Sequence, residues 1–108
     1  MNKILSKIRV LDIGRYVAGP YAATLLGYMG AEVIRVEKVS GGEDRYIAPI
    51  TSGKKNELNV GGLFMQTGCG KKSITLNLST ERGRNILKKL ASQVDVVIAN
   101  IPLSLIHI

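Results

Sequence analysis

Two short runs rich in β-branched residues, IRVLDI at residues 8–13 and AEVIRVEK at residues 31–38, constrain the fold more than any other feature of this sequence. Both predict strands, and in the second Val33 and Arg35 alternate with Ile34 and Val36. The segment YAATLLGYMG between them is apolar on most faces and predicts a helix that starts at Pro20 and ends at Gly30 in the left-handed conformation. Strand, loop, helix and strand within about 30 residues form one βαβ unit with parallel strands.

The second half of the chain continues this alternation of strands and helices. Residues 40–62 are rich in Gly, Ser, Asn and charge and predict a long surface excursion, followed by a short helix in LFMQTGCG. KSITLNL predicts a third strand with Ile74, Leu76 and Leu78 on one face. VDVVIAN predicts a fourth strand that is covered on both sides, because its apolar run is almost continuous.

A helix is predicted between these two strands, in STERGRNILKKLASQ. Ser79 or Thr80 is expected to cap it, with Glu81 in its first turn. Its expected buried stripe consists of Ile86, Leu87, Leu90 and Ala91. We therefore predict an α/β fold that is the beginning of a Rossmann-like, open parallel sheet, with residues 1–101 as the N-terminal part of a truncated domain. Residues 102–108, which show neither helical period nor cap, are set apart as a tail of a different origin.

Composition restricts the class of protein less than the pattern does. The formal charge of +7 over 108 residues favours anionic partners. Nucleic acid is not expected, because the chain has one Phe, four Tyr and no Trp and its lysine pairs are dispersed. The single Cys69 suits a reducing compartment. The uncharged run at residues 16–31 is shorter than the roughly 20 residues that cross a bilayer. We expect a cytoplasmic protein without a membrane partner.

The stretch TGCGKKSITLNL at residues 67–78 looks at first like a phosphate-binding P-loop. It fails that pattern, since Met65 stands where the first glycine belongs and Lys72 where Ser or Thr belongs. Cys69 has no neighbouring base and is not assigned catalysis. Two interpretations remain for Lys71 and Lys72. They either present charge to an anionic ligand or, as the twelve residues favour, guard a solvated strand edge.

Three other positions follow predicted strands, where open α/β sheets bind ligands. The loop RYVAGP lacks the dinucleotide fingerprint, and it either brings backbone amides to a phosphate or thioester or is a structural Gly-Pro turn. Lys38 either faces a ribose phosphate or is an ordinary exposed lysine. Asn100 either contacts a ligand or forms the turn after its strand.

Three stretches of the chain carry a resemblance to a known family: VLDIGRYVAGPYAATLLGYMGAEVIRVEK, SGGEDRY and GKKSITLNLSTERGRNILKKLASQVDVVIAN. Taken together, they closely resemble the N-terminal part of the family III coenzyme A-transferases. That family also contains the α-methylacyl-CoA racemases. The resemblance implies a coenzyme A (CoA) transferase, in which an aspartate attacks an acyl-CoA thioester and CoA passes through an enzyme-bound anhydride to a carboxylic acid. It places that aspartate outside this chain, so none of Asp12, Asp44 and Asp95 is assigned catalysis. Alternatives are a racemase with the same segment and a stand-alone basic module for nucleotides or nucleic acid.

The resemblance also implies contacts with CoA in this segment, no metal, and an interlocked homodimer. Val17 and Ala18 would lie beside the pantetheine and thioester, Lys38 would face the nucleotide, and Leu76 and Ser79 would line the adenine pocket. The predicted CoA-binding residues are, in full, Val17, Ala18, Lys38, Leu76, Ser79, Asn100 and Ile101. The chain departs from the family pattern at Asn77, commonly aspartate, at Ala99, commonly glutamate, at Ser79, often lysine, and in the spacing of GGEDR.

Overall fold

A computed structural model describes residues 3–46 and 61–101 of the chain. Its elements are, in chain order, β1 (Arg9–Asp12), α1 (Ala18–Tyr28), β2 (Glu32–Glu37), a 3₁₀ turn (Glu43–Tyr46), α2 (Gly62–Thr67), β3 (Lys72–Thr75), α3 (Glu81–Ala91) and β4 (Val96–Ile98). The four strands form one sheet in the order β3-β2-β1-β4, and every pair is parallel. The predicted α/β fold with a parallel sheet is confirmed.

The βαβ unit forms where the sequence pattern predicts it. Val10 of β1 is in register with Val33 of β2, and α1 connects the two strands. The helix begins at Ala18, two residues before the predicted start at Pro20. Pro20 is tolerated there because the N–H groups of the first turn have no partner within the helix. Gly30 has φ +106, which confirms the left-handed residue after the helix.

The predicted third strand and the helix after it are confirmed with two differences. β3 ends at Thr75, before the predicted end of the strand. The hydroxyl oxygen of Thr80 accepts the N–H of Gly83 at 3.0 Å, so Thr80 and not Ser79 caps α3. Leu87 is buried, but Ile86 is 40% exposed, so its assignment to the buried stripe is wrong.

The core lies on both faces of the sheet. On one face Val10 and Val33 pack against Ala23 of α1, and on the other Leu11 and Val36 pack against Leu87 of α3. The short α2 follows residues 47–60, which carry most of the predicted surface excursion and lie outside the described residues, as do residues 102–108.

The strand β4 forms the second edge of the sheet and pairs only with β1 among the described strands. Val96 and Val97 are exposed, so the prediction that this strand is covered on both sides is wrong for the part of the chain that the structure describes. Within residues 3–46 and 61–101, each helix is too short or too polar to span a bilayer.

Candidate functional site

A cleft of about 720 Å³ lies at the carboxyl ends of all four strands. Residues that directly follow each strand line it, including Ile13 after β1, Lys38 after β2, Leu76 after β3 and Ala99 after β4. In an open parallel sheet the ligand site lies at this end, because the loops that leave the strands converge there. The volume is within the range of about 300–1,000 Å³ that small-molecule sites occupy.

The cleft combines apolar walls with a charged mouth. The apolar residues among those lining it are Ile13, Val36, Leu76, Leu78, Leu87, Ala99 and Ile101. Arg15, Lys38 and Glu43 line it as well, and each keeps part of its side chain in solvent. An apolar interior suits a ring or an alkyl chain, and the charged mouth suits the ionic part of the same ligand.

The loop between β1 and α1 is fixed by Asn100, which lies 85 positions further along the chain. The N–H of Arg15 donates to Asn100 Oδ1 at 2.6 Å, and Asn100 Nδ2 donates to the carbonyl oxygen of Arg15 at 2.9 Å. Both backbone polar groups of Arg15 are therefore satisfied by one side chain. Through these two bonds Asn100 positions Arg15, which lines the cleft.

The same loop needs glycine where the chain passes over itself. A Cβ atom placed on Gly19 would lie 2.5 Å from Asn100 Oδ1 and 2.8 Å from the Cα of Gly14. Tyr16, between the two glycines, has φ +58, a left-handed conformation that costs a non-glycine residue of order 1 kcal/mol. The surrounding contacts therefore impose the path of this loop.

A buried ionic cluster, formed by Asp12, Arg35, Glu37, Asp44, Arg45 and Lys71, adjoins the cleft, and three of its members, Arg35, Glu37 and Asp44, also line it. At its centre is Asp12, which is fully buried. Lys71 Nζ lies 2.7 Å from Asp12 Oδ2 and donates to the carbonyl oxygen of Pro20 at 2.8 Å. The N–H of Gly14 donates to Asp12 Oδ1 at 2.9 Å. One carboxylate thus connects β1, the loop that follows it and the residue before β3.

The 3₁₀ turn supplies two further members of the cluster, Asp44 and Arg45, which pair with residues of β2. Nη2 of Arg35 lies 2.8 Å from both oxygens of Asp44, and Arg45 makes two hydrogen bonds to Glu37, at 2.6 and 2.8 Å. The ring of Phe64 from α2 covers the guanidinium of Arg45, whose Cζ is 4.2 Å from the ring centroid. Nε of Arg35 is buried and has no hydrogen-bond partner among the described residues, with Glu37 Oε1 at 3.7 Å.

Burial and hydrogen bonding shift the pKa of three of these groups, Glu37, Asp44 and Lys71. Burial alone would raise the pKa of Glu37, but hydrogen bonds from Arg45 and the N–H of Gly42 outweigh it and hold that pKa below its ordinary value. Burial raises the pKa of Asp44, and the charge of Arg35 offsets only part of this effect. Burial likewise lowers the pKa of Lys71, against the opposing effect of Asp12.

At the mouth of the cleft a carboxylate bridges two cations. Glu43 Oε1 lies 2.7 Å from Arg15 Nη2 and 3.0 Å from Lys38 Nζ, and Glu43 Oε2 accepts a further hydrogen bond from Arg15 Nε at 3.2 Å. The pKa of Glu43 is lowered, because its own N–H, Lys38 and Arg15 together outweigh the raising effect of burial. Glu43 is therefore ionised at neutral pH.

Four of the seven predicted site residues line the cleft and three do not. Lys38, Leu76, Ser79 and Ile101 line the cleft. Val17, Ala18 and Asn100 are not among its lining residues; Val17 and Ala18 are exposed where α1 begins, and Asn100 is bonded to Arg15. Their contacts with CoA stay predictions. In residues 3–46 and 61–101 no three His, Cys, Asp or Glu side chains are placed to hold a metal ion.

The sequence interpretation of Lys71 was wrong. Its side chain is 2% exposed and pairs with Asp12, so it is neither a solvated guard of the strand edge nor free for a ligand. Lys72 is 70% exposed and lies 3.5 Å from Glu32, as a guard residue would. Arg15 and the inward-facing charges Asp12 and Arg35 were missed. The available signal was a charge within each of two predicted strands that are otherwise rich in apolar residues, because charges that become buried require partners.

A parallel sheet with the strand order 3-2-1-4 and a cleft at the carboxyl ends of its strands defines an open α/β domain, the class in which ligands bind at that end of the sheet. More specifically, the sequence profile of CoA-transferase family III matches residues 5–105, and the chain belongs to that family.

Individual relatives agree with this assignment. The chain is 41% identical over 102 residues to the formyl-CoA:oxalate CoA-transferase of Streptomyces avermitilis, covering 93% of this chain and 23% of that one. It is 40% identical over 96 residues to the succinyl-CoA:mesaconate CoA-transferase of Haloarcula marismortui, covering 89% of this chain and 24% of the relative. A crystal structure of a CAIB/BAIF family protein from Brucella suis superposes with a TM-score of 0.85 at 34% identity, covering 96% and 27% of the two chains. The chain therefore spans about a quarter of the length of these relatives.

The two adjacent lysines provide a matched test of the buried ionic cluster. We expect Lys71→Met to lower the free energy of unfolding by about 3–5 kcal/mol, because it leaves the buried Asp12 carboxylate without its closest cation. Lys72→Met should cost at most about 1 kcal/mol, since it breaks only an exposed pair. Urea unfolding of both variants, expressed with any sequence that the gene encodes beyond residue 108, checks this. Equal losses would contradict the assignment.

The lowered pKa of Glu37 predicts a dependence of stability on pH. Because the folded-state pKa lies below the ordinary value of 4.5, the unfolded state binds more protons in that window. The stabilisation by Glu37 is present above that pH and is lost as the pH falls through the folded-state pKa. Urea unfolding of the wild type and of Glu37→Gln from about pH 6 to about pH 3.5 measures it. The stability difference should shrink below pH 4.5; a constant or growing difference would refute the prediction.

Proposed function

We propose that this chain supplies the CoA-binding cleft of a CoA-transferase. The observation that carries the proposal is the cleft itself, which joins apolar walls to a mouth with two cations in a chain of CoA-transferase family III. CoA has the same division, with an adenine ring and a pantetheine chain on either side of charged phosphates. The domain is Rossmann-like in its strand order.

Lys38 is the residue we assign to the nucleotide phosphates, because its ammonium group lies at the mouth with half of its side chain in solvent. Leu76 and Ser79 follow β3 and line the cleft, which supports their assignment to the adenine pocket, and Ile101 lines it after β4. Val17 and Ala18 are assigned to the pantetheine and thioester because they are exposed beside the loop that Asn100 fixes.

The proposed reaction moves CoA from an acyl-CoA to a carboxylic acid through an anhydride on an enzyme aspartate. The aspartates of the described residues are poor candidates for that nucleophile. Asp12 and Asp44 are buried against cations, and Asp95 Oδ2 accepts the N–H of Arg9 at 2.8 Å. We place the nucleophile outside this chain. The CoA-transferase names of the relatives support transfer as the reaction type.

A racemase that acts on acyl-CoA is the second candidate, because it would use the same cleft for the same CoA moiety. The net charge of +7 keeps a nucleic-acid-binding module as a third. An interlocked homodimer, a cytoplasmic location and the absence of nucleic-acid and membrane partners belong to the proposal as well. The location rests on the single cysteine.

Filling the cleft tests whether it binds CoA. We expect Ala99→Trp to weaken CoA binding by about tenfold or more, because Ala99 lines the cleft and an indole would occupy the space of the ligand. Ala22→Trp is the matched control, since Ala22 is exposed on α1 and does not line the cleft. Calorimetric titration with CoA, and with short DNA at two salt concentrations, measures this. Salt-sensitive DNA binding without CoA binding would reject the proposal.

Product analysis separates transfer from racemisation. The protein, expressed with any sequence that its gene encodes beyond residue 108, is incubated with formyl-CoA, succinyl-CoA or an α-methylacyl-CoA that is chiral at its α-carbon, together with isotopically labelled dicarboxylic acids. Transfer predicts label in the new acyl-CoA and release of the donor acid. An epimerised acyl-CoA with no label would instead establish the racemase.

A further inference from the structure

The bridge between Arg15, Glu43 and Lys38 has the chemistry of a phosphate site that is filled by a side chain. A carboxylate oxygen accepts hydrogen bonds from two cations here, at 2.7 Å from Arg15 Nη2 and 3.0 Å from Lys38 Nζ. Phosphate oxygens accept the same charge-assisted hydrogen bonds from arginine and lysine, with similar lengths. The pair of cations is thus already spaced to share one anionic oxygen.

Arg15 is held in this place more firmly than a surface arginine. Asn100 bonds both backbone polar groups of Arg15, and the arginine side chain is only 27% exposed. Because a fixed guanidinium loses little further entropy when it binds an anion, it is a better phosphate ligand than a free one.

The backbone of the 3₁₀ turn that carries Glu43 is held in place, while the Glu43 side chain is not buried. Asp44 is buried against Arg35, so the turn that carries Glu43 cannot move away without breaking that pair. Glu43 itself is a third exposed and makes its contacts at the mouth of the cleft. It can therefore rotate into solvent and leave the two cations to a ligand while the turn stays in place.

We propose that Arg15 and Lys38 together bind a phosphate group of the ligand and that Glu43 competes with this phosphate for both cations. Glu43 thereby sets the affinity and the selectivity of the cleft, since a ligand without a phosphate gains nothing from displacing it. This inference rests on the proposed function for the identity of the ligand, CoA, whose diphosphate and 3′-phosphate are both sources of this chemistry.

The test compares Glu43→Gln with Glu32→Gln. Glu32 also lies between two cations, 3.7 Å from Arg9 Nε and 3.5 Å from Lys72 Nζ, but it is at the amino end of β2 and does not line the cleft. Both substitutions change the net charge equally. Titrations of the protein, expressed with any sequence that its gene encodes beyond residue 108, use CoA, dephospho-CoA, pantetheine and inorganic pyrophosphate.

We expect Glu43→Gln to tighten CoA binding by about two- to tenfold, because a competing exposed ion pair is removed from each cation. The affinity of Glu43→Gln for pantetheine should equal that of the wild type. Glu32→Gln should change the affinity for neither CoA nor pantetheine. A gain that persists with dephospho-CoA assigns the site to the diphosphate, and a gain lost with it assigns the site to the 3′-phosphate. Arg15→Gln should weaken CoA binding and reduce the gain from Glu43→Gln in the double variant.

Several outcomes would overturn the inference. These are an unchanged or weakened CoA affinity in Glu43→Gln, an equal gain for pantetheine, or an equal gain in Glu32→Gln. Pyrophosphate separates this inference from the proposed function. If CoA does not bind but Glu43→Gln binds pyrophosphate more tightly than the wild type, the proposed function fails and the phosphate site stands. If CoA binds but Glu43→Gln changes the affinity for neither CoA nor pyrophosphate, the proposed function stands and the phosphate site fails. If neither CoA nor pyrophosphate binds, the proposed function and the phosphate site both fail.

Discussion

The carboxylate of Asp12 holds together the parts of the chain that surround the cleft. It accepts the N–H of Gly14 from the loop after β1, and it faces Arg35 of β2 and Lys71 before β3. An ionised carboxylate buried without such partners would cost several kcal/mol. The cost of burying Asp12 is therefore offset only when the loop and both neighbouring strands are in their correct places.

From Asp12 the constraint extends to the mouth of the cleft along two routes. Through Lys71, which also donates to Pro20, it fixes the start of α1. Through Arg35, which holds Asp44, it fixes the 3₁₀ turn and so places Glu43 opposite Arg15. The buried ionic cluster thus positions exposed charges that it does not contact. A cluster of this kind adds less to stability than apolar packing would, but it specifies one arrangement of several loops.

The features predicted correctly from the sequence are those that short segments encode. The βαβ unit follows from patterns within about 30 residues. The left-handed Gly30 and the restriction of the α3 cap to Ser79 or Thr80 each follow from a few neighbouring residues, and the structure selects Thr80. The features that were missed depend on contacts between distant positions. Lys71 meets Asp12 across 59 positions and Asn100 meets Arg15 across 85, and no local pattern distinguishes a lysine that will be buried from the exposed lysine beside it.

Net charge and local charge have different consequences in this protein. Asp12, Glu37 and Asp44 are matched by Arg35, Arg45 and Lys71 within the cluster, so the cluster contributes little to the total of +7. The total charge attracts any anion over distances up to about 8 Å in physiological salt, and it does not distinguish one anion from another. Discrimination has to come from groups whose spacing matches the ligand. One oxygen of Glu43 contacts both Arg15 and Lys38, which shows that the two cations are close enough to share an anionic oxygen. Glu43 therefore lowers the positive charge of the cleft and also shows where an anionic group of a ligand would bind.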